Sequence, residues 1–265
     1  MTDTTVTPGD DVATARGTRL ATVGLLMAAT GPLLLLAATL LWGLDTDEIG
    51  FLVVATVAAL AGAWLVNRPR TAAKVAGIVL AVLVAGALFW TAFGLAEPTS
   101  FFDFVPGLLV VPGVLLALIA GITSIRARKR GRPLGGGERR AAVAVLGVVL
   151  LLAGLSGALT LTSRDTVDAD DAARADLTVE LQDFEFTRAG YDVGGDTTVL
   201  VKNSDPFAHN FTVDALDIDV DLGPGSEKLV TIPARPGTYV LYCDPHTEDP
   251  EDPSADDMAA EITVD

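Results

Sequence analysis

The stretch GTYVLYCDPH, residues 237–246, contains the only cysteine of the chain and one of its two histidines. A Pro-Gly turn begins it, and the apolar and aromatic residues that follow, Thr238–Cys243, predict a β-strand. Cys243 and His246 then fall where this strand enters a loop. A lone cysteine is most often a small buried apolar residue, but a thiol three residues before a histidine also indicates a metal site.

The other histidine and a methionine complete the set of candidate ligands. His209 lies 34 residues upstream of Cys243, in the segment NSDPFAHNF, and Met258 lies downstream of His246. A thiolate with two imidazoles is the trigonal ligand set of a blue copper centre, and a thioether supplies its weak axial contact. Zinc is the competing metal, because one cysteine and two histidines with a fourth group also suit a tetrahedral site.

Strand signals recur on both sides of the cysteine, throughout the segment Leu177–Asp265. Short runs of apolar and β-branched residues are separated by turn residues about every 10 positions, which predicts an all-β Greek-key sandwich or barrel. In the first run the apolar residues have odd numbers, whereas Phe184 and Phe186, which follow it, have even numbers. This shift of the alternation by one residue predicts a β-bulge. The predicted strands are Leu177–Leu181, Thr197–Lys202, Leu216–Leu222, Leu229–Ile232, Thr238–Cys243 and Ala260–Val264.

Together these residues resemble the cupredoxin family, the blue copper domains of plastocyanin and azurin. The resemblance covers Asp196–Asp265 and is carried by Val199, Val201 and Asn203, His209-Asn210-Phe211, Pro236-Gly237-Thr238-Tyr239, Tyr242-Cys243-Asp244-Pro245-His246, and Met258 before Ile262 and Val264. It implies one type 1 copper ion, with His209, Cys243 and His246 as equatorial ligands and Met258 as the axial ligand. It also implies that Asn210 helps to brace the ligand loop, and that His246 lies near the surface and passes the electron to a partner.

The loop between His246 and Met258 departs from the family pattern. Eleven residues, TEDPEDPSADD, intervene where relatives usually have only a few. The closing strand after Met258 favours its return to the site, and otherwise Glu248 or a water occupies the axial position. The six acidic residues of this loop form either a solvated segment or a docking surface for a basic redox partner such as a c-type cytochrome.

The charge distribution divides the chain into two halves. The net charge of the 265 residues is −16, yet residues 1–163 hold 12 basic and 9 acidic side chains, whereas residues 164–265 hold 6 basic and 25 acidic ones. A chain with this excess of acidic residues is a poor nucleic-acid binder, because it repels the phosphate groups. A single cysteine excludes an intramolecular disulfide, an all-thiolate metal site and a dinuclear copper centre bridged by two cysteines.

The first half contains five apolar runs of nearly membrane-spanning length. Each is close to the roughly 20 residues that cross a bilayer, and none contains Lys, Arg, Asp or Glu. Basic loops alternate with acidic ones, among them Arg126–Arg140 and Asp45–Glu48, so the positive-inside rule predicts a cytoplasmic N-terminus. The runs are Leu20–Leu44, Ile49–Val66, Val75–Leu95, Phe104–Ile122 and Ala141–Leu161.

These features predict four segments: a cytoplasmic tail (residues 1–19), a five-helix transmembrane bundle (20–162), an acidic linker (163–176) and an extracytoplasmic β domain (177–265). The spans hold no acidic residue or histidine, which favours an anchor in the plasma membrane over an ion or proton path. We therefore predict a membrane-anchored electron carrier rather than an enzyme, one that serves a c-type cytochrome or a membrane oxidase complex. The alternative is copper binding for delivery, storage or sensing.

Overall fold

The computed structural model describes residues 8–42, 49–68, 70–130, 137–254 and 257–265. The chain divides into two compact units, one formed mainly by the helices before Leu155 and the other mainly by residues 156–265. The predicted loop charges at Asp45, Asp47, Glu48 and Arg132, and the loop residue Asp256, lie outside the described residues.

The N-terminal region is helical and apolar, as the sequence predicts. Its helices are α1 (Pro8–Trp42), α2 (Ile49–Val66), α3 (Thr71–Ala87), a 3₁₀ helix (Phe89–Ala96), α4 (Phe101–Arg130) and α5 (Gly137–Thr162). Within the described ranges, four helices are long and apolar enough to cross a membrane. The predicted run Val75–Leu95 differs from a single straight helix, because α3 and the 3₁₀ helix meet at an angle of 53°. If this bent pair is counted as one span, the number of candidate spans in the described ranges is five.

Glycines set how closely these helices pack. A Cβ added to Gly113 of α4 would lie 2.6 Å from the carbonyl oxygen of Gly24 of α1. In the same way, a Cβ on Gly77 of α3 would lie 2.9 Å from the carbonyl oxygen of Gly62 of α2. Both distances are shorter than real side chains adopt, so the two helix pairs depend on glycine for their close backbone approach.

In the described part of the C-terminal region, nine strands form two sheets. One sheet has the order β2-β1-β4-β7 and the other β3-β9-β8-β5-β6. Strand β1 pairs in parallel with β4, and β3 in parallel with β9, whereas the other pairs are antiparallel. The strands are β1 (Leu177–Gln182), β2 (Glu185–Phe186), β3 (Gly190–Val193), β4 (Thr197–Asn203), β5 (His209–Val213), β6 (Ile218–Leu222), β7 (Glu227–Ile232), β8 (Gly237–Tyr242) and β9 (Ala259–Val264).

One hydrophobic core takes side chains from both sheets. Val179 and Val199 from the first sheet and Phe211, Leu241 and Ile262 from the second are all fully buried members of this cluster. The alternation predicted in β6 is present, since its two ends are buried while the aspartates between them are exposed. The β prediction for this region is therefore confirmed, and its core extends directly to Cys243 and Met258.

Three features of the β region differ from the sequence-based expectations. The predicted bulge is instead a two-residue hairpin turn between β1 and β2, in which Asp183 and Phe184 have φ of 57° and 60°. Positive φ at both central residues suits a type I′ turn, which matches the twist of the flanking strands. Two strands were not predicted: β3 alternates in burial but has only four residues, and β5 is buried at every position and so lacks the alternating pattern.

The predicted linker is bonded to the β region at both ends. The carbonyl oxygen of Asp165 accepts a hydrogen bond from the backbone N–H of Glu227 (2.8 Å), and the Asp165 carboxylate pairs with Lys228 (3.2 Å). At the other end, the N–H of Asp176 donates to the Thr198 carbonyl (2.8 Å). Between them lies one helical turn, α6 (Ala169–Ala172). The segment is therefore exposed along most of its length but attached to strands β4 and β7.

Candidate metal centre

Neighbouring strand ends bring the candidate ligands together. Cys243 follows β8 directly, and His246 ends the 3₁₀ turn that comes next. His209 is the first residue of β5, which pairs with β8 through Thr212 and Tyr242. Antiparallel pairing of β5 and β8 therefore sets the first histidine beside the cysteine, although the two are far apart in the chain.

The three predicted equatorial ligands converge on one point. The Nδ1 atoms of His209 and His246 are 3.1 Å apart, and the Sγ atom of Cys243 lies 3.6 Å and 3.3 Å from them. Donor atoms that share one metal ion at bond lengths of about 2.0 to 2.3 Å lie about 3 to 4 Å from one another. The spacing therefore suits a single ion held by one sulfur and two nitrogens. Cys243 and His209 are buried, whereas His246 is half-buried.

His246 is uncharged at neutral pH in the metal-free protein. Burial and, to a smaller extent, the neighbouring His209 imidazole lower the pKa of His246 to about 3, against an opposing effect of Asp205. A neutral imidazole keeps a lone pair on one of its two ring nitrogens, which a metal ligand requires. The ring of Phe184 lies edge-on to both imidazoles, with centroids 5.5 Å from His209 and 5.0 Å from His246.

A buried carboxylate lies behind His209, on the side away from the cysteine. The Nε2 atom of His209 is 2.8 Å from Oδ2 of Asp205, and both side chains are almost fully buried. Burial alone raises the pKa of Asp205, but the hydrogen bonds from His209, Phe184 and Asp183 outweigh it and hold the pKa below its usual value. Asp205 was not predicted from the sequence, because only the fold shows that it lies behind His209.

Asn210 links the first histidine segment to the cysteine loop. Its backbone N–H points at Sγ of Cys243 (3.4 Å), and its side-chain oxygen accepts the N–H of Asp244 (2.7 Å). Its amide nitrogen donates to Asp219 of β6 (3.2 Å). The side chain predicted to brace the loop therefore makes hydrogen bonds to the residue that follows the cysteine and to the neighbouring strand.

Asn203, at the end of β4, holds the segment that leads to His209. Its side-chain nitrogen donates to the carbonyls of Phe207 (2.8 Å), Leu222 (2.9 Å) and Gly223 (3.1 Å). Its oxygen accepts the N–H of Asp205 (2.9 Å), and the residue is only 2% exposed. One buried amide thus joins β4, the β4–β5 segment and the end of β6.

Met258 returns to the site through backbone hydrogen bonds. Its N–H donates to the carbonyl of His246 (3.0 Å), and its carbonyl accepts the N–H of Cys243 (3.0 Å). Its side chain is 1% exposed and belongs to the same core as Cys243. Glu248, the alternative axial group, is an exposed residue.

The acidic loop after His246 is closed by Asp257. The carboxylate of Asp257 accepts the backbone N–H groups of Glu248 (2.9 Å) and Ser254 (2.6 Å). These bonds lower the pKa of Asp257 below its usual value. A surface pocket lined by Pro245, His246 and Thr247 together with these three residues lies beside the loop.

Comparison with known proteins identifies the family of the C-terminal region. A family model described as Cupredoxin-like domain matches residues 147–251, a range that includes His209, Cys243 and His246 and ends before Met258. No curated protein matches the chain.

Solved structures similar to the chain come from copper proteins. A purple cupredoxin from Nitrosopumilus maritimus is 17% identical and aligns over 34% of this chain and 100% of its own, with a TM-score of 0.27. An oxidised variant of amicyanin is 18% identical over 39% of this chain and 94% of its own, with a TM-score of 0.31. A copper-containing nitrite reductase from Thermus scotoductus SA-01 is 24% identical over 34% of this chain but only 22% of its own, with a TM-score of 0.26. The family match thus confirms the resemblance predicted from the sequence: the chain carries a cupredoxin-like domain in its C-terminal region.

Proposed function

We propose that this protein is a membrane-anchored type 1 copper protein that carries single electrons between redox partners at the outer face of the membrane. The observation that supports this most strongly is the convergence of Cys243 Sγ with the Nδ1 atoms of His209 and His246 within 4.8 Å of one another. One thiolate and two imidazoles form the trigonal set of a blue copper site. The chain carries no second cysteine, so a dinuclear copper centre bridged by two thiolates is excluded.

In this proposal each ligand side chain has a distinct task. Bound copper supplies a one-electron couple. The Cys243 thiolate and the Met258 thioether are soft donors that favour the reduced ion, and the two imidazoles suit both oxidation states. Burial in the β core and the Asn210 hydrogen bonds keep these donors in one arrangement in both states, so little rearrangement accompanies electron transfer. His246, half-buried beside the surface pocket, is the exit for the electron.

Copper loading of the full chain in detergent tests this function. We expect an intense visible absorption band and a copper electron-paramagnetic resonance signal with narrow hyperfine splitting. A colourless protein that takes up zinc in preference to copper would contradict the proposal. Slow electron self-exchange together with easily released copper would instead favour the delivery or storage function.

The axial position is assigned to Met258 rather than Glu248, on the basis of burial and the two backbone hydrogen bonds. Met258→Leu keeps the side-chain volume but removes the thioether. We expect the visible band to persist, while the reduction potential changes by more than about 59 mV, a tenfold change in the relative affinity of a one-electron couple, because the axial ligand tunes the potential of such a site. Glu248→Gln is the matched control and should leave the potential unchanged. An unchanged potential in Met258→Leu would mean that Met258 only packs in the core.

We further propose that the helical region is a five-span anchor in the plasma membrane, with residues 1–19 in the cytoplasm and residues 177–265 outside. The alternation of basic and acidic loops supports this orientation. The fifth span requires the bent pair Thr71–Ala87 and Phe89–Ala96 to cross as one unit. The β region would then be a Greek-key sandwich joined through residues 163–176.

This orientation is tested with a tag at each terminus of the full chain in intact cells. We expect the C-terminal tag to be accessible from outside the cell and the N-terminal tag to be inaccessible. The opposite result would mean that the orientation is reversed.

The acidic surface suggests the kind of partner. Residues 164–265 carry an excess of 19 acidic side chains, and several lie in the loop beside His246. A basic redox protein such as a c-type cytochrome, or a basic face of a membrane oxidase, would be attracted to this surface over long distance. We assign no catalytic residue to the chain itself.

A further inference from the structure

Asp205 is a buried charge whose position is fixed on every side. It lies between β4 and β5 and is 3% exposed. Its Oδ1 accepts the N–H of Asp183 (2.8 Å), and its Oδ2 accepts both the N–H of Phe184 (3.0 Å) and Nε2 of His209 (2.8 Å). Its own N–H donates to the side-chain oxygen of Asn203 (2.9 Å). Buried carboxylates require such partners, because an uncompensated charge is costly away from water.

The bond to His209 determines which nitrogen of that imidazole carries the proton. A carboxylate only accepts hydrogen bonds, so Nε2 of His209 must donate. The proton on Nε2 leaves the lone pair of a neutral ring on Nδ1, the atom that faces Cys243 Sγ at 3.6 Å and His246 Nδ1 at 3.1 Å. A carboxylate behind a ligating histidine fixes the orientation of the ring and raises its basicity.

The same carboxylate anchors the hairpin turn beside the metal centre. Both of its backbone donors belong to the β1–β2 turn, where Asp183 and Phe184 have positive φ. Phe184 in turn contacts both imidazoles and the ring of Phe207 (5.0 Å). The aromatic ring covers this side of His209, so the charge of Asp205 acts in surroundings that are poorly screened by water.

We propose that Asp205 is a positioning residue that holds His209 with its proton on Nε2 and, through its buried negative charge, lowers the reduction potential of the metal centre. This inference rests on the proposed copper function. A fixed negative charge stabilises the more positive oxidised ion relative to the reduced one, and a more basic imidazole does the same. Nothing in the family match or in the ligand set assigns this role to the residue.

The charge is tested by Asp205→Asn in the full, copper-loaded chain in detergent at pH 7. Asparagine has nearly the same shape and keeps one oxygen acceptor for Phe184 and His209, so the variant removes the charge and the acceptor for the N–H of Asp183. We expect the potential to rise by at least 59 mV, a tenfold shift in the relative affinity for the two oxidation states, with the visible band retained. Asp183→Asn is the matched control, because it removes a neighbouring charge, keeps the backbone N–H that donates to Asp205, and asparagine tolerates positive φ. Equal shifts in the two variants, or none, would overturn the inference.

The orientation of the imidazole is tested separately in the metal-free wild-type chain. Because the chain has only two histidines, ¹⁵N-histidine labelling gives a nuclear magnetic resonance spectrum of just His209 and His246. We expect His209 to carry a slowly exchanging proton on Nε2, and a proton on Nδ1 or a mixture of tautomers would overturn the inference. This measurement needs neither a variant nor copper. A wild-type chain without a type 1 spectrum would therefore disprove the proposed function while leaving the role of Asp205 open to its own test.

Discussion

Cys243→Ser is expected to abolish the intense visible band of the copper-loaded chain completely. The band requires a thiolate bound to copper, and this cysteine is the only one in the sequence. Serine fills almost the same volume in the fully buried position, so the loss would not reflect a collapsed core. Loss of a residue that only hydrogen-bonds to a metal ligand typically lowers the affinity for the metal by about 10- to 100-fold. Because Cys243 is itself a candidate ligand, we expect its loss to lower the affinity for Cu(I) by more than this. Absorption and electron-paramagnetic resonance spectra of the copper-loaded full chain in detergent measure the loss of the band, and competition with a Cu(I) chelator measures the affinity.

Tyr242→Phe is the matched control for this experiment. Tyr242 precedes the cysteine and is also buried, but its hydroxyl donates to the carboxylate of Asp214 (2.8 Å), which is not one of the candidate ligands. Removing the hydroxyl should therefore leave the visible band in place. A band that survives in Cys243→Ser would show that the thiolate is not a ligand, whatever the other two side chains do.

Asn203→Ala is expected to destabilise the β region by about 3 to 5 kcal/mol, because buried groups left without a partner cost about 1 to 3 kcal/mol each. The substitution removes the donor to three carbonyls and the acceptor for the N–H of Asp205. No other side chain can replace it, since the residue is almost completely enclosed. The effect should be large although Asn203 touches none of the candidate ligands directly.

The buried thiol offers a way to measure this loss in the intact protein. Cys243 is inaccessible in the folded metal-free state, so its rate of alkylation follows the fraction of molecules in which the β region has opened. We expect Asn203→Ala to raise this rate by more than about 100-fold, since 1.4 kcal/mol corresponds to a factor of ten. Lys202→Ala, in the same strand, removes only a partly exposed ion pair with Glu227 and should change the rate by less than about fivefold. A rise of less than tenfold in Asn203→Ala would contradict the structural role of this amide.

The sequence was informative about the metal centre because its chemistry depends on rare residues. One cysteine and two histidines leave few combinations, and all three lie together in the structure. The apolar helices were also predictable, because a helix that is apolar on all faces gives a continuous apolar run. Strand β6 was predictable because burial of one face makes apolar residues alternate with aspartates. These features follow from local composition alone.

Other features depend on contacts between segments that no local pattern reveals. Asp205 resembles any polar loop residue until the fold sets it behind His209. The β1–β2 turn lacks glycine and asparagine, the usual signals for positive φ, and carries Asp183 and Phe184 instead. Its conformation is held by the Asp205 carboxylate, which lies 22 residues from Asp183 in sequence. The 53° angle between α3 and the 3₁₀ helix likewise has no signal in the run Val75–Leu95, which contains no proline and no charged residue.

The two backbone hydrogen bonds of Met258 make the geometry of the candidate site independent of the length of the acidic loop. Because Cys243, His246 and Met258 are bonded to one another directly, the ends of the intervening segment stay together whatever its length. Doubling the length of a flexible loop adds only about 0.6 kcal/mol to the entropy of closure. Residues 248–257 can therefore be lengthened, shortened or given other charges while the donor atoms stay where they are. Exchanging this loop would change the surface beside His246 and preserve the arrangement of Cys243, His209 and His246.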